Sequence, residues 1–465
     1  MVRKMLFLAL LLLMVLPVAS STFAQEDPED LPLKIGLMVD QSGALAIYGF
    51  ELEYGFKLGL LYQAGIDPSD YESIDDALAD VRIAGRPVEI LVRDNSSVPD
   101  TAASQARELI EVEGVEILVG APSSGVTVGL QQVAADYEVI LFAAPGASPA
   151  ITGEDFNLST FRVCRNSFQD SAALGALSGN VGPEWMILAA DYEFGRASAG
   201  AFEVTLPGYG VEFIQETIYA PLETPDFTPF LQEVLAAEPD ALLAIWAGDN
   251  SLTLYQQIEE LGVSDNIAIV GGTNSNDIAA VATSPDQIGQ FGYIVYHYDL
   301  PDNEVNDWLI EKHIEFFPNP ANPDQVDYPD LFTDCSFATA QALVLGVEDA
   351  TADATEAGVS IVEGTLPEYM IPALEGLVFD SPKGTIYIRP SDHQALVPMY
   401  LIQIANVDDP EYKFYDLVDT VSAFEAAPPC LLTDDFAERC EMDAEFMAMV
   451  EEMDAEMMEE GEGGE

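Results

Sequence analysis

The residues with the most chemistry to offer are Ser123 and Ser124, in the run Ala121-Pro122-Ser123-Ser124-Gly125, and Gly146, Ala147 and Ser148 in a second small-residue loop. Each loop follows an apolar run, VEILVG before the first and VILFAAP before the second. Hydroxyls and free backbone N–H groups at the carboxyl ends of neighbouring parallel strands form a ligand crevice. The N-terminus of the following helix favours an anion there, such as a carboxylate. Serine at such a place also serves simply to cap the helix. The same turn fits a loosened nucleophile elbow with Ser123 as nucleophile, and His297, His313 and His393 all follow it in the chain. Against a secreted α/β-hydrolase, the first elbow position is alanine rather than glycine, and no HGGG-like oxyanion segment is present. HExxH, Walker and GxGxxG motifs are absent too, so metalloprotease, phosphate-transfer and dinucleotide chemistry lack support.

The elements that must position these loops alternate strand and helix. LKIGLMV is a strand, Tyr48 to Ala64 a helix, VEILVRDN a strand and Thr101 to Glu113 a helix, before the two loop-bearing strands. The alternation resumes through WMILAADYEFG, VEFIQETIY, ALLAIWAG and NIAIVGGTN, and the chain ends in a strand-rich stretch from Gly376 to Val407. This pattern predicts an α/β protein with parallel sheets covered by helices on both faces. Some ten strands in 465 residues imply two sheets and two domains. Residues 65–86 are polar and read as a surface insertion.

Eighty-one acids against 16 bases give a net charge of −65, which excludes nucleic acid and anionic membranes as partners. Arg3 and Lys4 precede an apolar run from Met5 to Val18, so residues 1–24 read as a signal peptide cut after Ala24, and the mature chain as exported, periplasmic or extracellular. In that compartment Cys430 and Cys440, ten residues apart, are expected to close a loop. Cys164 and Cys335 are either a second bridge or two buried thiols. The segment 426–465 is acidic and rich in methionine, with 11 acids and no base after Cys440. Thioethers bind copper(I), but no histidine or cysteine joins them there, so the segment reads as a solvated helical or disordered tail. No cofactor or metal is expected.

Several stretches, taken in order, resemble the exported solute-binding proteins for branched-chain amino acids, the receptors of ATP-driven importers. They are LKIGLMVDQSGALAIYG, VEILVRDNSSVPDTAASQARELIEVEGVEILVGAPSSG, MILAADYEFGRASAGAF, TPDFTPFLQEVLAAEPDALLAI and LEGLVFDSPKGTIYIRPSDHQ. The resemblance implies the type I periplasmic binding protein fold, two Rossmann-like lobes joined by three hinge crossovers, here near Arg162, His297 and Asp380. The N-terminal lobe would take 33–162 and 298–380, and the C-terminal lobe 163–297 and 381–425. It further implies a monomer that closes around a small amino acid, carboxylate or amide and presents it to a membrane permease; a ligand-sensing module would share the fold.

By the same resemblance the solute carboxylate falls to Ser123, Ser124, Gly146 and Ala147, with Ser148 or a backbone N–H standing in for the threonine often found at the Ala147 position. Tyr48, Phe194 and Trp246 match cleft aromatics. Where the family's amino-acid binders commonly place an acid for the solute ammonium, this chain has Thr273 and Asn274, which leaves Asp249 or Asp277 as substitutes or a ligand without an α-ammonium.

Overall fold

The computed structural model describes residues 31–271, 275–319, 325–361 and 365–462. The signal segment 1–24 and Asn274 lie outside these residues. The first lobe begins β1 (Leu33–Val39), α1 (Ile47–Gln63), α2 (Ile74–Ala79), β2 (Arg82–Ile83), β3 (Arg86–Asp94) and α3 (Pro99–Glu108). It continues through β4 (Ile117–Gly120), α4 (Ser124–Tyr137), β5 (Ile140–Ala143) and β6 (Thr160–Arg162). The strands form one sheet in the order β2-β3-β1-β4-β5-β6, parallel except for the β2–β3 hairpin. Leu33, Ile35, Leu37, Ile117 and Val119 have no exposure at all, as expected of central parallel strands covered on both faces.

The second lobe holds α5 (Ser167–Leu177), β7 (Glu184–Ala190), α6 (Glu193–Thr205), β8 (Glu212–Phe213), β9 (Ile218–Ala220) and α7 (Thr228–Ala237). After these come β10 (Ala241–Ile245), α8 (Ser251–Glu260), β11 (Ala268–Val270), α9 (Asn276–Ala282) and β12 (Phe291–Ile294). Its parallel sheet runs β11-β10-β7-β8, with β9 also on β7. The chain then returns to the first lobe as α10 (Glu304–Phe316), α11 (Thr333–Glu356) and α12 (Leu366–Leu374). Helices α1 and α11 meet at glycines: a Cβ on Gly55 would stand 2.2 Å from the Thr333 carbonyl oxygen, and one on Gly59 2.2 Å from that of Phe337. Gly59→Ala must therefore push the helices apart. Its expected cost is about 1–3 kcal/mol, read as a lowered urea midpoint at unchanged slope.

Three expectations need correction. Residues 65–86 are not a mere surface insertion: Ile74, Ala77, Leu78, Val81 and Ile83 are buried in the first-lobe core. The third crossover also moves. The antiparallel strands β13 (Val378–Ser381), β14 (Gly384–Ile388) and β15 (Ala395–Leu396) lead through His393 and Gln394, which lie beside β6. The Arg162 N–H donates to the His393 carbonyl at 3.0 Å, and the His393 ring stacks on Phe161 at 3.9 Å. Only with β16 (Met399–Ile404), which pairs with β12 and β17 (Tyr415–Val421), does the chain join the second lobe. The crossing is at Val397-Pro398 rather than near Asp380, and 381–396 sits with the first lobe.

The third correction concerns the C-terminal segment. It docks: α13 (Ala444–Glu462) lays a fully buried Val450, with Met447, Met449 and Met453 partly buried, against Tyr387 and Leu396. Asp454 accepts hydrogen bonds from Tyr387 at 3.2 Å and from the Phe424 N–H at 2.7 Å, and Arg439 donates to Glu375 at 2.6 Å. The methionines here fill a packed face. Both cysteine pairs are joined, Cys430 to Cys440 and Cys164 to Cys335, the latter tying the segment after β6 to α11. Among the described residues no helix is long and apolar enough to cross a membrane.

Candidate functional site

The two small-residue loops do come together at the ends of β4 and β5, but the protein itself occupies their polar groups. Ser123 caps α4, its Oγ accepting from the Val126 N–H at 3.4 Å. Ser124 Oγ accepts from the N–H groups of Ala147 and Ser148 at 3.1 and 3.2 Å. Ser148 Oγ in turn donates to Glu193 of α6 at 2.8 Å, across to the second lobe. At Gly146 a Cβ would lie 2.7 Å from Thr127 Oγ1. Ser123, Ser124, Ala147 and Ser148 are all buried. Truncating Ser124 to Ala leaves two buried N–H groups without an acceptor, so the expected loss is about 1–3 kcal/mol of stability, measurable as a fall in Tm.

The histidines are engaged with partners other than Ser123: His297 with the Tyr412 carbonyl, His313 with Asp327, and His393 with Thr160 and Glu375. Tyr48 links the lobes, its hydroxyl accepting from the Gly248 N–H at 3.1 Å while its ring stands edge-on to Phe332. Phe194 packs into the core beside Tyr192. Trp246 is fully buried among the second-lobe core residues, with Phe227 edge-on at 4.8 Å. A strand covered on both faces gives no periodicity to separate a core position from a cleft position.

A cavity of about 410 Å³ opens elsewhere along the same interlobe seam. That volume falls within the roughly 300–1,000 Å³ usual for small-molecule sites. Helix α1 contributes Phe50, Glu51 and Tyr54. The second lobe contributes Asp249 just before α8, and Asp277 and Ile278 from the first turn of α9. His313 of α10 and the segment Asp327, Tyr328 and Asp330 before α11 complete the wall. Tyr54 is held by stacking on Phe317 at 4.0 Å, and Tyr328 by stacking on Tyr298 at 4.8 Å. The lobes are drawn close beside it, where the Asp249 N–H donates to the Ala44 carbonyl at 3.1 Å.

Five carboxyl groups therefore face one cavity, and among the described lining residues there is no lysine or arginine. The sequence places none in 272–274 or 320–324 either. Glu51 accepts from the Phe332 N–H at 2.8 Å, yet burial, and then the charge of Asp330, pushes its carboxyl well above the usual carboxylate range. Asp330 accepts from the Leu331 and Asn276 N–H groups, both at 2.8 Å, and is pushed up to about 8, mainly by burial. Asp249 is raised by burial as well. Asp277 accepts from the Tyr412 hydroxyl at 2.7 Å. Asp40, which follows β1, is raised to about 7 by burial.

Sequence reading reached Asp249 and Asp277 but missed Glu51 and Asp330. A charge on a helix ordinarily faces water, so its type alone does not single out Glu51. Its signal was weak but present: it shares the face of Tyr48, Leu52 and Gly55, and no base stands three or four residues away to pair with it.

Two lobes with parallel sheets, three connections between them and a cavity walled from both define a periplasmic binding protein. The chain belongs to that family, whose sequence model matches residues 32–409. It is 22% identical over 388 residues to the Leu/Ile/Val-binding protein homolog 6 of Brucella melitensis, covering 82% of this chain and 89% of that one. It is similar to the crystal structure of an ABC-type branched-chain amino acid transporter protein from Rhodopseudomonas palustris. The identity is 30% and the TM-score 0.66, over 86% of this chain and all of that one. A solute-binding protein from Rhodopseudomonas palustris, solved with 3,4-dihydroxybenzoic acid, shares the fold at 20% identity and a TM-score of 0.69, over 85% and 98% of the two chains. The chain is thus a periplasmic solute-binding protein of the kind that serves ABC importers, and the family is an exported one.

Proposed function

We propose that this chain is the non-catalytic receptor of an ABC importer, that it captures a small amino-acid-like solute bearing a positively charged nitrogen, and that it hands the solute to a membrane permease. The carrying observation is the cavity, whose acids come from both lobes: Glu51 and Asp330 from the first, Asp249 and Asp277 from the second. Without a cation between them these carboxyls must repel or, like the raised Glu51 and Asp330, stay protonated, so lobe closure costs free energy. A cationic solute reverses the sign and favours the closed form, which is ligand-driven closure by differential affinity. The names of similar proteins point to branched-chain amino acids in some and an aromatic acid in another. The acid-rich wall supports the ammonium-bearing class for this chain. The receptor acts as a monomer and needs no cofactor.

A thermal-shift panel of leucine, valine, phenylalanine, a simple amide and a simple amine tests the reading. A solute that binds only the folded protein must raise Tm, by a free energy that grows as RT ln(1 + [L]/Kd). A shift with an amino acid or the amine but not with the amide, accompanied by a smaller radius of gyration in X-ray scattering, is expected. Hydrolysis of a p-nitrophenyl ester that disappears in Ser123→Ala would show an enzyme instead.

A further inference from the structure

We propose that the solute is recognised as an organic cation. It is a small amine whose ammonium sits among Glu51, Asp330, Asp249 and Asp277, whose apolar or aromatic body lies against Phe50, Tyr54 and Tyr328, and which needs no carboxylate. The proposal rests on the interlobe cavity being the solute site. It goes further by removing the acid end that amino acids and aromatic acids share.

Three observations carry it. First, two of the N–H groups matched to a carboxylate grip already have an acceptor within the protein. The N–H groups of Ala147 and Ser148 already donate to Ser124, and Ser148 is tied to Glu193. The cavity offers no lysine or arginine in their place among the described residues, so an ionised solute carboxylate there would have no fixed positive charge to balance it.

Second, a buried imidazole nitrogen on the cavity wall is left unpartnered. His313 is 1% exposed and lines the cavity, and its Nδ1 has no hydrogen-bond partner among the described residues. The tautomer whose Nε2–H donates to Asp327 at 2.8 Å leaves that Nδ1 with a lone pair, suited to an N–H of the ligand. Third, three aromatic side chains share the wall, and ring faces attract an ammonium as well as packing against its apolar body. A bare metal ion fits less well. Among the described residues no three carboxylate, imidazole or thiol groups are grouped so as to hold one, whereas a larger cation spans carboxylates set apart.

The test is calorimetric titration of the mature chain at pH 8 with phenethylamine, its acid counterpart 3-phenylpropionate, leucine and calcium. Saturable binding of phenethylamine is expected, with none of 3-phenylpropionate or calcium and weaker binding of leucine. Glu51→Gln and Asp330→Asn, both neutral and near-isosteric, are each expected to weaken the amine at least thirtyfold while keeping a cooperative melt. Absence of phenethylamine binding, leucine binding as tight as the amine, or saturable calcium binding would each overturn the cation proposal. So would amine binding that both variants leave intact. If 3-phenylpropionate binds and Phe50→Ala weakens it, the proposal fails while the interlobe receptor reading stands. If it binds and neither Phe50→Ala nor Glu51→Gln affects it, the cavity reading fails as well.

Discussion

Glu51→Gln is expected to lower affinity for an ammonium-bearing solute by at least about thirtyfold, because removing one partner of a buried charge pair costs roughly 2–5 kcal/mol. The wild-type affinity should itself depend on pH, with a definite sign. In the unliganded fold Asp330 is held up to about 8, with Asp277 and Asp327 facing it, and Glu51 is raised with Asp330, Asp327 and Asp334 facing it. A bound cation favours the ionised carboxylates, so binding near neutrality releases protons. Affinity should then rise with pH through that range, by up to about tenfold per unit for each proton released.

Stability of the unliganded protein should move the opposite way. A carboxyl whose pKa is higher folded than unfolded leaves the native state holding more protons, so stability falls as pH rises from the ordinary carboxylate range towards about 8. Thermal melts at pH 5, 6, 7 and 8 read this directly. The slope should flatten in Asp330→Asn. A wild-type Tm that climbs steadily over that interval would contradict the account.

The second large effect belongs to the bridge between Cys164 and Cys335, which closes a span of 171 residues. Losing a native disulfide typically costs about 2–5 kcal/mol, and long loops lie at the upper end because the cross-link restricts the unfolded chain most. Replacing both cysteines with serine should lower the denaturant midpoint accordingly. The Cys430–Cys440 loop, with a separation of only 10, should matter less. The first bridge also anchors the start of α11, next to Asp330 and Thr333 on the cavity wall. Solute affinity should therefore fall along with stability in the double variant. An unchanged midpoint under reducing conditions would show the bridge to be dispensable.

How far these features could be read beforehand depended on the physics behind each. The central strands were plain because a parallel strand covered on both faces must be an apolar run, as in VEILVG or ALLAI. The meeting of the serine turn with the Gly146–Ser148 loop followed from two neighbouring strands ending together. What meets the Ala147 and Ser148 N–H groups did not follow, since the Ser124 hydroxyl and a solute carboxylate satisfy them equally well on paper. Trp246 shows the same limit, because its strand is buried on both sides.

Composition misled elsewhere. The acids of the last forty residues masked a docked face built on Val450 and three methionines. The polar letters of 65–86 hid Ile74, Leu78 and Ile83. Glu51 and Asp330 were illegible for a further reason: their roles come from three segments, around 51, 249–278 and 313–330, which only the lobe arrangement brings together.

The most direct measurement is a crystal structure of the mature protein grown with phenethylamine. Ligand density is expected between the lobes, its nitrogen within hydrogen-bond distance of Glu51 or Asp330 and its ring against Phe50 or Tyr54. Density instead at Ser124, Gly146 and Ala147, with the Ser124 hydroxyl turned away from the Ala147 and Ser148 N–H groups and the acid-lined cavity closed, would contradict that expectation.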